Sequence, residues 1–193
     1  MEKNADDYFL QGKTHFENYN YEAAIVCFTK ALYLRDEENV EDYHWRGRTF
    51  CESERFKAAI SDLTKAMELR DEEDANDYSL RGMAYFGNYN YADAIEDFTT
   101  AIELRDDDAA DDYSARGMSY FYYYNYEAAI EDLTTAMELR DEEDADDYFW
   151  RGLSYYKNND FDAAIEDLNK AFEIDPDNEE AKKFAEEIEK QTF

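Results

Sequence analysis

Five glycines, Gly12, Gly47, Gly82, Gly117 and Gly152, stand 35 residues apart along a chain of 193. The residues around them repeat too. The stretch from Asp112 to Asp146 matches the preceding stretch from Asp77 at 24 of 35 aligned positions, and looser copies begin at Asp7, Asp42 and Asp147. Only Gly87 falls off the beat. A fixed period of this length calls for a stack of identical supersecondary units, because one unit cannot bury its own apolar face.

Each unit holds two helical patterns. In the fourth, the first helix is expected from Ala110 to Tyr122 and the second from Tyr126 to Leu139. In the second helix Tyr126, Ala129, Ile130, Leu133, Ala136 and Met137 recur at steps of three and four, which makes one buried face. Glu127, Glu131, Thr134 and Glu138 cover the other. Asn20, Asn90, Asn125 and Asp160 stand where an N-cap belongs, with Arg55 as the exception. Asn4, Asn39, Asp74 and Asp144 take the same role for the first helix. There Ala109 is the exception, with Asp108 beside it. The single Pro and the scarcity of Gly leave no room for a flexible linker.

A glycine inside a helix costs about 1 kcal/mol against alanine. Its recurrence calls for a compensating close approach, and Ala24, Ala59, Ala94, Ala129 and Ala164 are the expected opposite numbers. A second row, Ala31, Ala66, Ala101, Ala136 and Ala171, would serve the next contact. Arg46, Arg81, Arg116 and Arg151 precede the glycines, and Asp62, Asp97, Asp132 and Asp167 follow 16 residues later. The first unit has Gln11 and Cys27 instead. Loss of both partners in the same unit predicts an Arg–Asp pair inside each of the other four. A further row, Arg35, Arg70, Arg105 and Arg140, reads as a cation complementing the carbonyl end of the second helix.

These residues resemble the tetratricopeptide repeat family. An aromatic lies four before the glycine and another three after it, followed by the two alanines; the last unit, Tyr148 through Ala164 and Ala171 to Asp175-Pro176, matches most closely. The resemblance implies an all-α, right-handed superhelical solenoid of helix-turn-helix repeats, at about 5–39, 40–74, 75–109, 110–144 and 145–178. A capping helix over 179–191 would present Ala181, Phe184, Ala185 and Ile188. The first four units carry one residue more than the common family period, in an acidic turn that lacks the usual proline.

In that family the first helices line a concave groove that holds a peptide or partner helix. By the same resemblance the groove carries Phe9, Lys13 and Phe16, then His44, Arg48 and Cys51. Ser79, Met83 and Phe86 follow, then Ser114, Met118 and Phe121, and finally Phe149, Leu153 and Tyr156. Trp45, Tyr122, Trp150 and Lys157 flank the row. The lysine and asparagine set with which some members clamp a peptide carboxylate is missing, since Lys13, Arg48, Met83, Met118 and Leu153 occupy the matching places.

A formal charge of −30 repels phosphate, so nucleic acid and anionic membranes are not expected partners; a basic or apolar peptide is. Aromatics at 17 per cent set the chain apart from disordered acidic tails. No apolar run would span a bilayer, and the start, from Met1 to Asp7, has no signal-peptide core. Cys27 and Cys51 form no metal-spaced pair and read as reduced residues of a cytoplasmic protein. Neither His15 nor His44 has a catalytic partner pattern. The turns Asp71–Asp74 and Asp141–Asp144 lack the spacing of a calcium loop. No enzyme, cofactor or metal is expected. The leading expectation is an interaction scaffold. Self-assembly through exposed repeat faces, or a duplicated or engineered array with no dedicated ligand, is the alternative.

Overall fold

A computed structural model describes residues 3–105 and 109–192, with side chains as far as Lys190. The expected cap support from Asp108, and the residues Met1 and Glu2 of the N-terminal stretch, lie outside the described residues. The elements among those described are all helical. They are α1 (Ala5–Glu17), α2 (Tyr21–Leu34), α3 (Val40–Glu52), α4 (Phe56–Leu69), α5 (Ala75–Gly87) and α6 (Tyr91–Leu104). Then follow α7 (Ala110–Tyr122), α8 (Tyr126–Leu139), α9 (Ala145–Lys157), α10 (Phe161–Ile174) and α11 (Glu179–Thr192). The chain divides into two compact units, Met1–Leu104 and Arg105–Phe193. Within each, consecutive helices pack as hairpins, α1 with α2 through to α9 with α10, and α11 packs on α10.

The caps explain where the helices begin. Asn4 and Asp7 form a reciprocal capping box. Asn20, Asn125 and Asp160 accept from Ala23, Ala128 and Ala163 N–H, whereas Arg55 supplies no side-chain cap. At Asn90 the side chain is engaged by Asn88 and Asp93. Asn39, Asp74 and Asp144 cap α3, α5 and α9, and Ala109 supplies no side-chain cap to α7.

The turn inside each hairpin is closed by backbone geometry. Tyr19, Glu54, Tyr89, Tyr124 and Asn159 adopt φ between 56° and 65°. That left-handed residue lets the next N–H reach back to the last turn of the first helix, as from Asn125 to Tyr120 O at 2.9 Å and from Asp160 to Tyr155 O at 2.9 Å. The otherwise orphaned helix carbonyls are thereby satisfied. Glycine would fit here without strain; three tyrosines instead hold the position, Tyr19, Tyr89 and Tyr124, each about four-fifths exposed at 79, 79 and 80 %.

The glycines do not face the alanines alone. A Cβ on Gly12 would stand 2.6 Å from the Phe28 ring, and one on Gly82 would be 2.9 Å from Phe98. Gly47, Gly117 and Gly152 lie against Leu63, Leu133 and Leu168 in the same way. All five of these partners are essentially fully buried. The helices approach closely so that one large side chain can cross the first helix where it has no Cβ. The alanine row assists: the carbonyl oxygens of Ala129 and Ala164 lie 3.3 Å from the Cβ positions of Gly117 and Gly152. Both alanine rows are entirely buried.

In the second unit the apolar stripe of α11 is covered. Ala181, Ala185 and Ile188 join Leu168 and Ala171 in one buried cluster, with Phe184 packed against it.

Candidate functional site

Four Arg–Asp pairs cross the hairpins. Arg46 donates through Nε and Nη2 to the two carboxylate oxygens of Asp62 at 2.6 and 2.8 Å. Arg81–Asp97, Arg116–Asp132 and Arg151–Asp167 repeat this fork between 2.7 and 2.9 Å. Two parallel charge-assisted bonds fix the guanidinium plane. Aromatic rings stand on either side of it: Tyr113 and Tyr120 flank Arg116 at 5.2 and 6.0 Å, and Tyr148 and Tyr155 flank Arg151 at 5.6 and 5.9 Å. Arg81 and Arg151 also donate to Thr64 and Thr134, on the preceding second helix, at 3.2 and 3.1 Å. Arg81 and Arg151 therefore tie their own hairpins together and bind the neighbouring hairpin of the same unit as well.

The second arginine row does more than end a helix, and here the sequence reading needs correcting. Within the first unit Arg35 donates to Asp42 and Arg70 to Asp77, the latter at 2.7 Å. Within the second, Arg105 reaches Asp112 at 2.6 Å and Arg140 reaches Asp147 at 2.9 Å. All four aspartates are buried. A signal was present in the sequence: an aspartate five residues before every glycine, with an arginine seven before that in each unit except the first. The helix-end reading accounts for the arginines alone and leaves their buried partners out.

Two of these aspartates have gained different third partners. His44 Nδ1 lies 2.6 Å from Asp77, whereas Ser114 Oγ donates to Asp147. Burial pushes the Asp77 carboxyl up, but the His44 hydrogen bond and charge, together with Arg70, outweigh it and hold the group below its ordinary value. For Asp147 burial dominates, and Ser114 and Arg140 do not offset it, so that carboxyl is raised.

The expected groove residues fall into three groups. In the first unit Phe9, Lys13, Phe16, His44 and Arg48 gather around Trp45. Lys13 Nζ stands 4.5 Å over the Trp45 ring, and the Arg48 guanidinium lies 5.3 Å from it and 5.1 Å from Phe16. Phe16 meets Trp45 edge-on at 5.6 Å, and His44 does so at 6.2 Å. Phe9 packs on Phe28 at 5.8 Å. The Cys51 thiol donates to Leu80 O, and burial raises its pKa to about 12, so it is no nucleophile. Ser79 is buried and donates to Ala75 O. Further along the same unit Met83 is 47 % exposed, with Phe86 half-buried against Tyr91.

The second unit divides the remainder. Met118, Phe121 and Tyr156 are half-buried, and Tyr122 is exposed. Phe149 and Leu153 belong to the buried cluster that also includes α11. Trp150, placed only on the flank by sequence reasoning, sits at the centre of the unit's ring contacts, 5.4 Å from each of Phe121, Tyr122 and Phe149.

Among the described residues no group of three or more His, Cys, Asp or Glu is arranged to hold a metal ion. No described helix is long and apolar enough to cross a membrane.

The hairpins with their crossing glycine define an α-helical repeat protein, and comparison with known proteins says which kind. Tetratricopeptide repeat profiles match residues 145–178 and 8–38, and an SHNi-TPR profile matches residues 51–73. These matches identify tetratricopeptide repeats within the chain, its all-α helical solenoid fold is that of tetratricopeptide repeat proteins, and those neighbours support a protein-interaction scaffold. A crystal structure of MamA is similar at 27 % identity and a TM-score of 0.76, covering 88 % of this chain and 90 % of MamA. YrrB, described as a TPR protein with an unusual peptide-binding site, is 23 % identical with a TM-score of 0.76, over 92 % of this chain and 90 % of its own. A MamA fragment from Desulfovibrio magneticus RS-1 is 18 % identical with a TM-score of 0.80, over 92 % and 98 % of the two chains. The last two likenesses are of fold alone. No curated protein matches.

Proposed function

We infer that the chain is a non-enzymatic adaptor, acting in the cytoplasm, whose five repeats and capping helix hold a basic or apolar peptide, or a partner helix, along the glycine-bearing helices. The observation that carries this reading is exposure of apolar side chains on those helices in a chain of charge −30. Met83 and Tyr122 are 47 and 37 % exposed, while the second helices turn glutamates to solvent. Methionine and aromatic side chains in such a place suit a partner's apolar residues. In the first unit Phe9, Lys13, Phe16, His44, Arg48 and Phe86 would take part in binding, and in the second unit Met118, Phe121 and Tyr156. Phe149 and Leu153 would support the latter from beneath. The test is selection from a peptide array, repeated with Met83→Ser/Met118→Ser. Selected peptides should bind about tenfold more weakly to the double variant at unchanged helicity. Undiminished binding would overturn the assignment of the surface.

A second reading is favoured by the first hairpin. Leu10, Val26 and Tyr33 are 63, 52 and 86 % exposed. Glu68, Glu103, Glu138 and Glu173 stand at the positions corresponding to Tyr33. Self-association through this hairpin predicts light scattering that rises with concentration and falls in Val26→Glu/Tyr33→Glu.

A further inference from the structure

Four positions on the solvent side of each hairpin belong together, and in the second repeat they are Glu38, Tyr43, Lys65 and Glu68. Lys65 stands between the two carboxylates, 2.8 Å from Glu38 and 3.9 Å from Glu68, and the Tyr43 hydroxyl donates to Glu38. The fifth repeat is built alike. Lys170 lies 2.9 Å from Glu143 and 3.9 Å from Glu173, and the Tyr148 hydroxyl donates to Glu143. One ammonium thus answers two carboxylates, and the group is closed on itself.

The first and third repeats depart from this group in opposite directions. In the first, a lysine and a tyrosine replace the glutamates. Lys3 and Lys30 stand 5.8 and 5.1 Å over the Tyr8 ring, Tyr33 is 86 % exposed, and neither lysine has a carboxylate partner among the described residues. In the third, Thr100 replaces the lysine. Glu73 accepts from the Tyr78 hydroxyl at 2.7 Å, Glu103 is exposed, and neither is ion-paired among the described residues. One backbone geometry therefore presents two cations in one repeat and two carboxylates at the corresponding positions two repeats on. The contrast extends beyond these residues. Met1 to Arg35 carry five acidic and four basic side chains, whereas Asp71 to Arg105 carry nine and two. Exposure of the first face does not depend on what precedes it in the chain, since Glu68 stays exposed in a hairpin packed on both sides.

We propose that the Lys3–Lys30 face of one copy docks on the Glu73–Glu103 face of a second copy, restoring across the contact the lysine–glutamate pairing that the second and fifth repeats make internally. The contact is heterologous, because each copy brings a different face to it. Two chains of charge −30 repel one another, but that repulsion is screened over about 8 Å at physiological salt, whereas charges in contact are screened less. The nearly neutral first repeat is where a second acidic chain can come close, and opposed charges at matched positions fix the register. Val26 and Tyr33 lie four residues before Lys30 and three after it, on the same side of α2, so the same contact would cover them. The inference rests on the self-association reading of the first hairpin and names the surface that this hairpin meets.

The experiment is sedimentation of the full chain across concentration at about 0.15 M NaCl. The parent should self-associate. Lys3→Glu/Lys30→Glu should weaken association about tenfold, and so should Glu73→Lys/Glu103→Lys. The second variant is the sharper of the two, since it lowers the net negative charge and would strengthen any association governed by bulk charge. An equal mixture of the two variants should recover the parent's association, because each reversed face then meets its reversed complement. Circular dichroism checks the fold. If a double variant loses helicity, Lys30→Glu or Glu103→Lys alone replaces it, with an expected weakening of about threefold. Undiminished association in either variant would overturn the pairing and leave self-association through Val26 and Tyr33 standing. Loss in both variants without recovery on mixing would overturn the pairing too. A parent that stays monomeric at about 1 mM would overturn the self-association reading and this inference with it.

Discussion

The first hairpin and the last join two helices by different means. In α9 and α10 the Arg151–Asp167 fork spans the gap beside Leu168, which lies under Gly152. In α1 and α2 Gln11 and a buried Cys27 take the pair's positions, and Phe28 lies under Gly12. Yet Ala24, Phe28 and Ala31 are as completely buried as Ala164, Leu168 and Ala171, all at 0 % exposure. The glycine beneath a large apolar side chain is therefore the common element of the hairpin. The ion pair is added to it, and it also contacts the neighbouring hairpin, as Arg151 does through Thr134.

That contrast can be broken most forcefully at the pair itself. Asp167→Ala would leave Arg151 enclosed by two rings without its carboxylate and should cost about 3 kcal/mol in urea unfolding followed by Trp150 emission. Arg151→Met with Asp167→Leu should recover most of the loss, because neither buried charge remains. A single variant as stable as the parent would show that the fork contributes nothing. In the first hairpin the opposite change applies. Cys27→Asp should cost about 2 kcal/mol by burying a carboxylate without a partner, and Gln11→Arg in the same chain should restore at least half. Failure of that rescue would mean that α1 and α2 do not share the register of the later hairpins.

Smaller effects separate the glycines. Gly12→Ala would press on the buried Phe28 ring from 2.6 Å, and the overpacking should exceed the alanine's helical gain by about 1 kcal/mol. At Gly152 the nearest atom is Leu168 Cγ at 3.0 Å, so Gly152→Ala should come within about 0.5 kcal/mol of neutral. Thermal melts of the two variants check this, and equal losses would remove the distinction.

The weakest test concerns pH. Asp77 is held below its ordinary value of 3.8, so its stabilising contribution is complete above 3.8 and is lost as pH falls through its folded value. Asp147 is held above 3.8, so its ionisation costs stability above the folded value, and that cost disappears as pH falls to 3.8. Carboxyl NMR titration should place the two midpoints on opposite sides of 3.8. His44→Ser should move Asp77 upward, towards the behaviour of Asp147. An unmoved midpoint would remove His44 from the account.

The helix ends were legible in the chain. The expected bounds of α7 and α8 coincide with those observed, since caps and apolar periodicity are local properties. The Arg46–Asp62 row was legible because the first repeat loses both partners together, which is a covariation inside one chain. The Arg70–Asp77 row was not. Each partner already had a sufficient local reason, an arginine at a helix end and an aspartate in a first turn. The glycine's large partner was missed because the direction of a side chain across two helices depends on how they cross, and no periodicity within one helix records that.

By itself, the sequence determined a chain of helical hairpins, their boundaries and the positions where small residues permit close approach, all of which follow from neighbours a few residues apart. The tertiary structure alone decided which of the proposed binding residues remain open. Phe149 and Leu153 carry the same apolar signal as Met83, but they join the cluster that α11 closes, whereas Met83 is 47 % exposed. Burial is set by what arrives from elsewhere in the chain, and a residue's own neighbours in sequence cannot report it.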